Sequence, residues 1–536
     1  MAETVEPHGH REGGAHRRRR APGRRASSRS LLAAVVLGCL VTVGSSAPVR
    51  RQPPSRPVKA AALRPGVHGI ASRAAAPRPE GTSAWRLTRP ALGRQIEGYA
   101  TTSSGLPGAT VALRVSTSER SYQVSAYRLG AYRHGTGRLV WQSGPLPGLR
   151  QPGPSFSDPE QRTVVARWHT TAVVATSGWV PGLYVFKLTT SSGWQAHIPY
   201  VVSSPSTRGR VVLVVPVTTW QAYNDWGGYS LYRAPPGDRP SSTVSFDRPY
   251  PPPGADEMEF GALPVVVEAE RTGVPVAYLT NLDLDRRPDA LQGARAYVST
   301  GHDEYWTPTM RRRVETARDQ GVNLLFLGAN TLYWRIRLAD AGGRADRLVT
   351  GYRTDPTLDP VHGSGRTGMW RSVPPAQPEN EVTGLRYQCF PVDAPFRVAT
   401  PHWWGFAGTG VVRGTSFPHL VGVEADTVDP GPDTPRPLEV VADVSYSCGG
   451  VPTSAQAVYY TAASGAGVLD VGTLQWTCAL DGGCRKARSP RTVRFVRRVT
   501  DTVLRAFAAG PAGRRHPAHD NVARFDLPTT GTAPTG

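Results

Sequence analysis

The sequence lacks the local motifs of several common hydrolases and of P-loop nucleotide-binding proteins. It contains no G-x-S-x-G, no H-E-x-x-H and no G-x-x-x-x-G-K, which argues against a serine nucleophile, zinc proteolysis and a phosphate-binding loop. Cysteine is scarce as well, and apart from Cys39 none precedes Cys389. The central part of the chain therefore offers no thiolate for acyl transfer. Oxygen ligands from tyrosine and glutamate remain, with histidine and asparagine nearby, and such a set suits a hard metal that activates water.

Acidic residues are too few to balance the basic ones, and the formal net charge is +21. Residues 1–60 contain 12 Arg or Lys and 3 Glu, so +9 of this charge lies in the first segment. The other arginines are spread along the chain and form no basic helix or basic patch interleaved with aromatic residues. We therefore expect no nucleic-acid partner.

The N-terminal segment has the layout of an export signal. An arginine-rich stretch precedes the apolar residues 31–47, LLAAVVLGCLVTVGSSA, which end on small residues. This pattern predicts a signal peptide over residues 1–47 and a secreted or cell-surface protein. An uncleaved membrane anchor is the alternative, because about 17 apolar residues are near the lower limit for a span. Residues 48–92, rich in Pro, Arg and Ala, are predicted to be a disordered linker, and residues 513–536 a disordered tail.

Four cysteines remain once the signal peptide is removed. An even number in an exported protein predicts two disulfides. The stretch CALDGGC has a flexible turn between Cys478 and Cys484, so these two could close locally and leave Cys389 for Cys448.

Two regions differ in their hydrophobic pattern. Residues 93–206 alternate apolar and polar positions in short runs such as TVALRVST and GLYVFKLTT, which predicts an immunoglobulin-like β-sandwich. Residues 207–512 begin with aliphatic runs, VVLVVPV, VPVAYLT, ARAYVST and VNLLFLG, alternating with helical patterns. This alternation predicts an α/β domain with a parallel sheet covered on both faces. Beyond about residue 345 the pattern predicts β-rich additions and a final helix, VRFVRRVTDTVLRAFA.

Polar and aromatic residues follow the four aliphatic strands of this domain. They occur in TTWQAYNDWGGYSLY, TNLDLD, GHDEYW and GANTLYW. Ligands of open α/β sheets bind beyond the carboxyl ends of the strands, so these clusters predict a functional site. A helix cap formed by Asp303 is the alternative for GHDEYW, but a cap needs only one side-chain oxygen.

The stretches VTTWQAYNDWGGYSLY, GHDEYW and GANTLYWR, in this order and spacing, resemble the large (beta) subunit family of N,N-dimethylformamidase, particularly its secreted actinobacterial members. The resemblance covers roughly residues 95–510. It implies a mononuclear Fe(III) held by two tyrosines and a glutamate, and hydrolysis of small N-substituted amides. We accordingly expect a class I glutamine-amidotransferase-like α/β fold with a mostly parallel sheet.

The resemblance also implies site residues. Glu304 corresponds to the glutamate ligand and Tyr223 to the tyrosine in the loop after the first α/β strand. His302 is expected to act as a base or to orient water beside the metal. Asn330 is expected to donate a hydrogen bond to the developing oxyanion.

The second tyrosine ligand is placed by spacing near GLYVFKL, and Tyr184 is our assignment. The same G-x-Y is also the pattern of a tyrosine corner in a β-sandwich. A structural role for Tyr184 therefore stays open, with Tyr200 as the substitute ligand.

We expect an exported, metal-dependent amidohydrolase that acts on a small amide. The chain could pair with a small subunit or form a homo-oligomer, and it could associate with the cell surface. The competing hypothesis is a non-enzymatic secreted protein whose aromatic crevice binds a glycan or the cell wall, because aromatic faces also stack on sugars. Bound iron distinguishes the two hypotheses.

Overall fold

The computed structural model describes residues 78–484 and 486–527. The predicted signal peptide, residues 48–77 of the predicted linker and residues 528–536 lie outside the described residues. The described residues all belong to one compact unit. The predicted division of this unit between residues 206 and 207 stays a prediction.

The segment with the alternating pattern forms the first eleven strands. They are β1 (Ile96–Ala100), β2 (Ser104–Gly105), β3 (Thr110–Thr117), β4 (Ser121–Tyr132), β5 (Gly135–Gln142), β6 (Leu146–Pro147), β7 (Ser155–Asp158), β8 (Thr163–Val165), β9 (Ala172–Ala175), β10 (Gly182–Thr190) and β11 (Gln195–Val202). One sheet has the order β1-β3-β9 and a second the order β2-β11-β10-β4-β5, with β6 on β4. Alternate residues of β3, such as Val111 and Leu113, share an apolar core with Phe186 and Leu188 of β10. These two sheets therefore pack as a β-sandwich.

Fifteen further strands and seven α-helices follow in the described chain. The strands are β12 (Val211–Val215), β13 (Thr243–Ser245), β14 (Val276–Thr280), β15 (Ala296–Ser299), β16 (Tyr305–Trp306), β17 (Asn323–Phe326), β18 (Trp334–Arg335), β19 (Arg337–Ala341), β20 (Arg344–Thr350), β21 (Gly368–Met369), β22 (Arg386–Arg397), β23 (Ser416–Thr427), β24 (Leu438–Cys448), β25 (Val451–Thr461) and β26 (Gly467–Asp470). The helices are α1 (Val217–Tyr223), α2 (Leu263–Thr272), α3 (Asn281–Arg286), α4 (Pro308–Asp319), α5 (Asn380–Thr383), α6 (Gln475–Asp481) and α7 (Pro490–Ala508).

The largest sheet has seven strands in the order β14-β12-β15-β17-β26-β25-β24. Its first five strands pair in parallel, whereas β25 and β24 run antiparallel to their neighbours. All five residues of β12 are buried. Leu213 belongs to the core on one face and Val212 and Val214 to the core on the other. Burial on both faces explains why the strand is a continuous aliphatic run instead of an alternating one.

The predicted fold class is wrong for the chain as a whole. Strands account for 36% of the described residues and helices for 20%, in several mixed and antiparallel sheets. The structure is therefore β-rich and is not a mostly parallel, glutamine-amidotransferase-like α/β fold. The reason lies between β17 and β26, where residues 327–466 form antiparallel pairs such as β19–β20 and β22–β23. Two strands of that region, β24 and β25, return to the edge of the large sheet.

The end of the predicted linker is packed against the sandwich. Trp85 is fully buried, and its backbone carbonyl lies 2.8 Å from Nε2 of His197. Lys187 donates hydrogen bonds to the carbonyls of Ala84 and Arg86, at 2.8 and 2.7 Å. Residues 78–92 are thus an ordered strap and not a disordered segment. Residues 513–527 of the predicted tail likewise pack on the sheet, where Val522 is buried.

The predicted disulfide pairs are confirmed. Cys389 bonds to Cys448, and Cys478 bonds to Cys484. Two disulfides fit an extracellular protein. The signal peptide itself stays a prediction. No helix in the described part of the chain combines the length and the apolar character needed to cross a membrane.

Candidate active site

Three neighbouring parallel strands bring the candidate residues together. In β12, β15 and β17, Val214 lies beside Ser299, and Ser299 lies beside Phe326, so the carboxyl ends of the strands are level. The segments that follow these ends carry Tyr223 at the end of α1, His302 and Glu304 in the loop before β16, and Asn330 after β17. The predicted cluster at this edge of the sheet therefore exists, with these four residues in it.

Glu304 is the centre of the cluster. Its side chain is 2% exposed, and four donors point at its carboxylate. The hydroxyl of Tyr223 donates to Oε2 at 2.8 Å, and the hydroxyl of Tyr232 contacts both oxygens at 2.9 and 3.0 Å. Nδ2 of Asn330 and Nε1 of Trp334 donate to Oε1 at 3.0 and 2.7 Å. The carboxylate thus has a fixed orientation, with two phenol oxygens against it.

Tyr223 and Tyr232 form an aromatic stack. Their ring centroids are 4.2 Å apart, with an interplanar angle of 14°. The imidazole of His302 lies 5.5 Å from the ring of Tyr223. The guanidinium of Arg353 lies 4.0 Å from the centroid of Tyr232 and occupies the other face of that ring, because Tyr223 covers the first. The hydroxyl of Tyr305 donates to that of Tyr232 at 2.7 Å. Both phenol oxygens are therefore held in place by ring packing and hydrogen bonds.

His302 lies between two carboxylates. Its Nε2 is 3.2 Å from Oε2 of Glu424 and 3.6 Å from Oε2 of Glu304. Burial lowers the pKa of His302, but the neighbouring carboxylates, led by Glu424, outweigh it and raise the pKa to about 10. His302 is therefore protonated at neutral pH in this arrangement. Nε2 of His302 and Oε2 of Glu424 thus form a buried ion pair.

Asn330 is held by a third acid. Its backbone has a left-handed φ of 55°, and its backbone N–H donates to both carboxylate oxygens of Asp426, at 2.9 and 3.0 Å. Burial raises the pKa of Asp426 to about 7. Burial also raises the pKa of Asp470, the adjoining acid at the end of β26, well above its usual value, and the charge of Asp426 adds to this. Oδ1 of Asn330 has no hydrogen-bond partner among the described residues.

Tyr184 is not brought to this cluster. It lies in the core of the sandwich, stacks on Trp179 at 4.9 Å and donates its hydroxyl to the carbonyl of Val180 at 2.6 Å. Tyr200 lies in the same core. Tyr232 instead occupies the place beside Tyr223. Sequence spacing missed it, although it is the last residue of the GGYSLY stretch, in the same loop region as Tyr223.

Glu424 and Asp426 were also missed. Both lie in β23, within a strand whose sequence, SFPHLVGVEADT, carries no local motif. Only the pairing of β22 with β23 and the return of the chain to the large sheet bring them to Glu304. No signal in the sequence alone identifies them.

Asp303 does not cap the helix that follows it. Thr307 caps α4 instead, because its side chain accepts a hydrogen bond from the backbone N–H of Met310. The Asp303 carboxylate points inward and accepts hydrogen bonds from the Tyr297 hydroxyl, the Ser299 hydroxyl and Nε1 of Trp306. Burial raises the pKa of Asp303 to about 6. The helix-cap interpretation of GHDEYW is therefore wrong.

The segment between the two tyrosines is anchored to the sandwich. Trp226 is 1% exposed, and its Nε1 donates to Oε2 of Glu97 in β1 at 2.8 Å. Its ring packs edge-on against Trp168 at 5.8 Å. The segment of residues 224–229, which lies between Tyr223 and Tyr232 in the chain, is therefore held in place by contacts of Trp226 with the sandwich.

The side chains suit a hard cation better than a soft one. No group of three or more His, Cys, Asp or Glu residues in the described chain is arranged to hold a metal ion. Instead, two phenol oxygens and one carboxylate meet within 3.0 Å, and such oxygen ligands favour a hard ion. Close to Glu304 lie two further sets of polar atoms: the ion pair of His302 with Glu424 and Oδ1 of Asn330, which has no hydrogen-bond partner among the described residues. This donor set fits Fe(III).

Comparison with known proteins gives one family. The model of the family described as "N,N-dimethylformamidase beta subunit-like, C-terminal" matches residues 123–489. No curated protein matches. A solved structure of a cycloisomaltooligosaccharide glucanotransferase from Paenibacillus sp., in complex with cycloisomaltoheptaose, is 12% identical. That match covers 47% of this chain and 33% of the other, with a TM-score of 0.14. A score so low does not establish a common fold.

Proposed function

Because this chain belongs to the N,N-dimethylformamidase beta subunit-like family, which indicates an amidase-type function, we propose that it is an Fe(III)-dependent hydrolase of a small N-substituted amide. The observation that carries the proposal is the contact of two phenol hydroxyls with one buried carboxylate, those of Tyr223, Tyr232 and Glu304, at 2.8 to 3.0 Å.

Tyr223, Tyr232 and Glu304 would hold the metal. Burial, followed by the charge of Glu304, raises the pKa of both tyrosines well above the usual value. Without a cation they therefore stay protonated and donate to Glu304. Binding of a trivalent ion requires that both phenols lose their protons, so uptake of iron should release protons and depend on pH. When bound, Fe(III) supplies Lewis-acid polarisation of the amide carbonyl and activation of water.

Glu424 and His302 are suited to proton transfer. Glu424 lies 3.2 Å from Nε2 of His302, and its side chain is 10% exposed, so it can exchange a proton with a ligand and with His302. A protonated His302 is an acid for the leaving amine, and its proton can return through Glu424. This assignment makes His302 an acid instead of the predicted base, and it adds Glu424 to the predicted pair of His302 and Asn330.

Asn330 orients Glu304 and would also face the reacting group. One N–H of its side-chain amide binds Glu304, which leaves a second N–H for a developing oxyanion. Removal of an oxyanion donor typically lowers turnover by about 100- to 1,000-fold.

The decisive test is whether Tyr232 is the second tyrosine ligand of the metal. The purified Tyr232→Phe variant is expected to lose bound iron and the visible charge-transfer band of ferric tyrosinate. Tyr184→Phe is the matched control, because it removes a buried hydroxyl of the same type from the sandwich core. It should keep both signals. Iron is measured by elemental analysis and the band by absorption spectroscopy.

Two results would contradict the proposal. Wild-type protein that is purified with iron supplied and contains none would favour the non-enzymatic binding protein. Equal iron content in Tyr232→Phe and the wild type would remove Tyr232 from the ligand set.

A further inference from the structure

A small cavity lies between the sandwich and α1. Its volume is about 30 Å³. Val217, Trp220 and Gln221 of α1 line it, whereas Thr219 and Tyr223 of the same helix contact the backbone and the side chain of Glu304. The cavity is therefore on the face of α1 directed away from the candidate active site. It is separate from the chemistry proposed above.

One charged side chain lines the cavity, that of Arg248, which is 1% exposed. Its Nη2 donates to the carbonyl of Asn224 at 2.7 Å, and its Nη1 donates to the carbonyls of Tyr229 and Trp226 at 2.8 and 3.2 Å. Its Nε–H is buried and has no hydrogen-bond partner among the described residues. These three hydrogen bonds use three of its five N–H donors, and the buried Nε–H is one of the two that remain.

Arg248 also has no acidic partner among the described ion pairs. Asp225 lies in the neighbourhood, but its carboxylate pairs with Arg233 at 2.9 Å. Burial lowers the pKa of Arg248 to about 9, and the group still carries its charge at neutral pH. A buried charge without a directly paired opposite charge is unfavourable, and an anion beside it would offset part of that cost.

The cavity has the size and surface for one small ion. A water molecule needs about 10 to 15 Å³ of such volume, so about 30 Å³ admits a single ion little larger than water. Apart from Arg248 the walls are largely aromatic and apolar, with Tyr99, Trp220, Phe246 and Tyr250 among them. Aromatic rings have a positive edge, with which an anion can make favourable contact. These walls exclude a large polyatomic anion and favour a weakly hydrated one.

We propose that this cavity is a binding site for a small monovalent anion of halide size, chloride or bromide, which pairs with the unpartnered Nε–H of Arg248. Arg248 holds residues 224–229, the segment that joins Tyr223 to Tyr232. The anion would therefore also stabilise the position of that segment. The site itself does not depend on the proposed amidase function.

Bromide provides a direct test. Crystals grown from wild-type protein in sodium bromide should show an anomalous scattering peak within about 3.5 Å of Nε of Arg248, a contact slightly longer than an N–H···O bond. In solution, the thermal midpoint should rise with the concentration of chloride or bromide by mass action. It should not rise with gluconate at the same ionic strength, because gluconate is too large to enter. An ordered water at this position, without an anomalous peak, would overturn the proposal.

Two variants separate binding from folding. Arg248→Met removes the charge and should abolish the response to halide, but it also removes hydrogen bonds from three carbonyls and could prevent folding. Ala100→Leu avoids this difficulty, because Ala100 lines the cavity and a larger side chain fills it while the carbonyl bonds of Arg248 remain. Ala100→Leu should therefore fold and show no difference between halide and gluconate. A halide response equal to that of the wild type would contradict the assignment of the site.

Discussion

At the scale of single residues, Glu304 combines a structural and a chemical role. It accepts hydrogen bonds from Tyr223, Tyr232, Asn330 and Trp334, so every change at this position also affects packing. A test of its role as a metal ligand therefore needs a control variant that loses similar hydrogen bonds from a buried glutamate far from the candidate active site.

Glu304→Gln should lose iron, because the amide has no negative charge for a trivalent ion. It should also cost about 1 to 3 kcal/mol of stability, since an NH₂ group would face hydrogen-bond donors. Glu270→Gln is the control, because Glu270 is a largely buried glutamate that accepts from Arg128 Nη2 at 2.6 Å and from the backbone N–H of Ala131 at 2.7 Å. This variant should be destabilised to a similar degree and keep its iron. Elemental analysis and urea unfolding of both variants give the comparison. Full iron in Glu304→Gln would exclude Glu304 as a ligand.

Glu424 should control the protonation of His302. The Glu424→Gln variant replaces the carboxylate that raises the pKa of His302 most strongly, so that pKa should fall from about 10 towards the ordinary value near 6.5. Histidine ring signals in NMR spectra of the iron-free protein, followed between pH 6 and pH 10, measure this change. Asp303→Asn provides the comparison, because Asp303 faces Tyr297, Ser299 and Trp306 instead. Equal His302 titrations in wild type and Glu424→Gln would show that Glu424 is not its partner.

At the scale of elements, local patterns predicted the regular segments well. The run VVLVVPV forms β12, LPVVVEAERT forms α2, and the final helical pattern forms α7, residues Pro490–Ala508. The contacts between distant segments could not be predicted in this way. Glu424 reaches the active site only through the pairing of β22 with β23, and spacing placed the second tyrosine at Tyr184 instead of Tyr232. The spacing of hydrophobic residues shows which face of an element is buried. It does not show which distant strand pairs with that element.

The strap of residues 78–92 should make stability depend on pH. His197 contacts the carbonyl of Trp85, and burial lowers its pKa to about 4. Between pH 6.5 and pH 4 the unfolded chain binds a proton that the folded protein does not, so stability falls as the pH is lowered through this range. From pH 7 to pH 5 the loss should be about 2 kcal/mol. Urea unfolding at both pH values measures it.

His197→Gln is the variant for this measurement, because glutamine can donate to the same carbonyl and does not titrate. The difference between pH 7 and pH 5 should be smaller in this variant by about 2 kcal/mol. The same difference in both proteins would show that other groups cause the acid sensitivity.

At the scale of the whole molecule, the disulfides close loops of different length. Cys389 and Cys448 are 59 residues apart, and Cys478 and Cys484 are 6 apart. Replacing both cysteines of the long loop by serine should cost about 4 kcal/mol and replacing those of the short loop about 2 kcal/mol, because the longer loop restricts the unfolded chain more. Urea unfolding of the two double variants gives the order. A larger loss for the short loop would show that native contacts, and not the unfolded chain, determine the effect.

The anchor at Trp226 has a consequence for how this protein can diverge. Glu97 and Trp168 lie in the N-terminal region, whereas Trp226 lies on the segment that carries both tyrosines. Recombination that exchanged the sandwich for an unrelated module would release this segment and move two phenols away from Glu304. Insertions, by contrast, should be tolerated at the exposed hairpin tip of Gly342 and Gly343, where an added Cβ atom would meet no other atom within 4 Å. We therefore expect family members to keep the sandwich strands together with the Tyr223–Tyr232 segment, and to differ in length mainly at such hairpin tips.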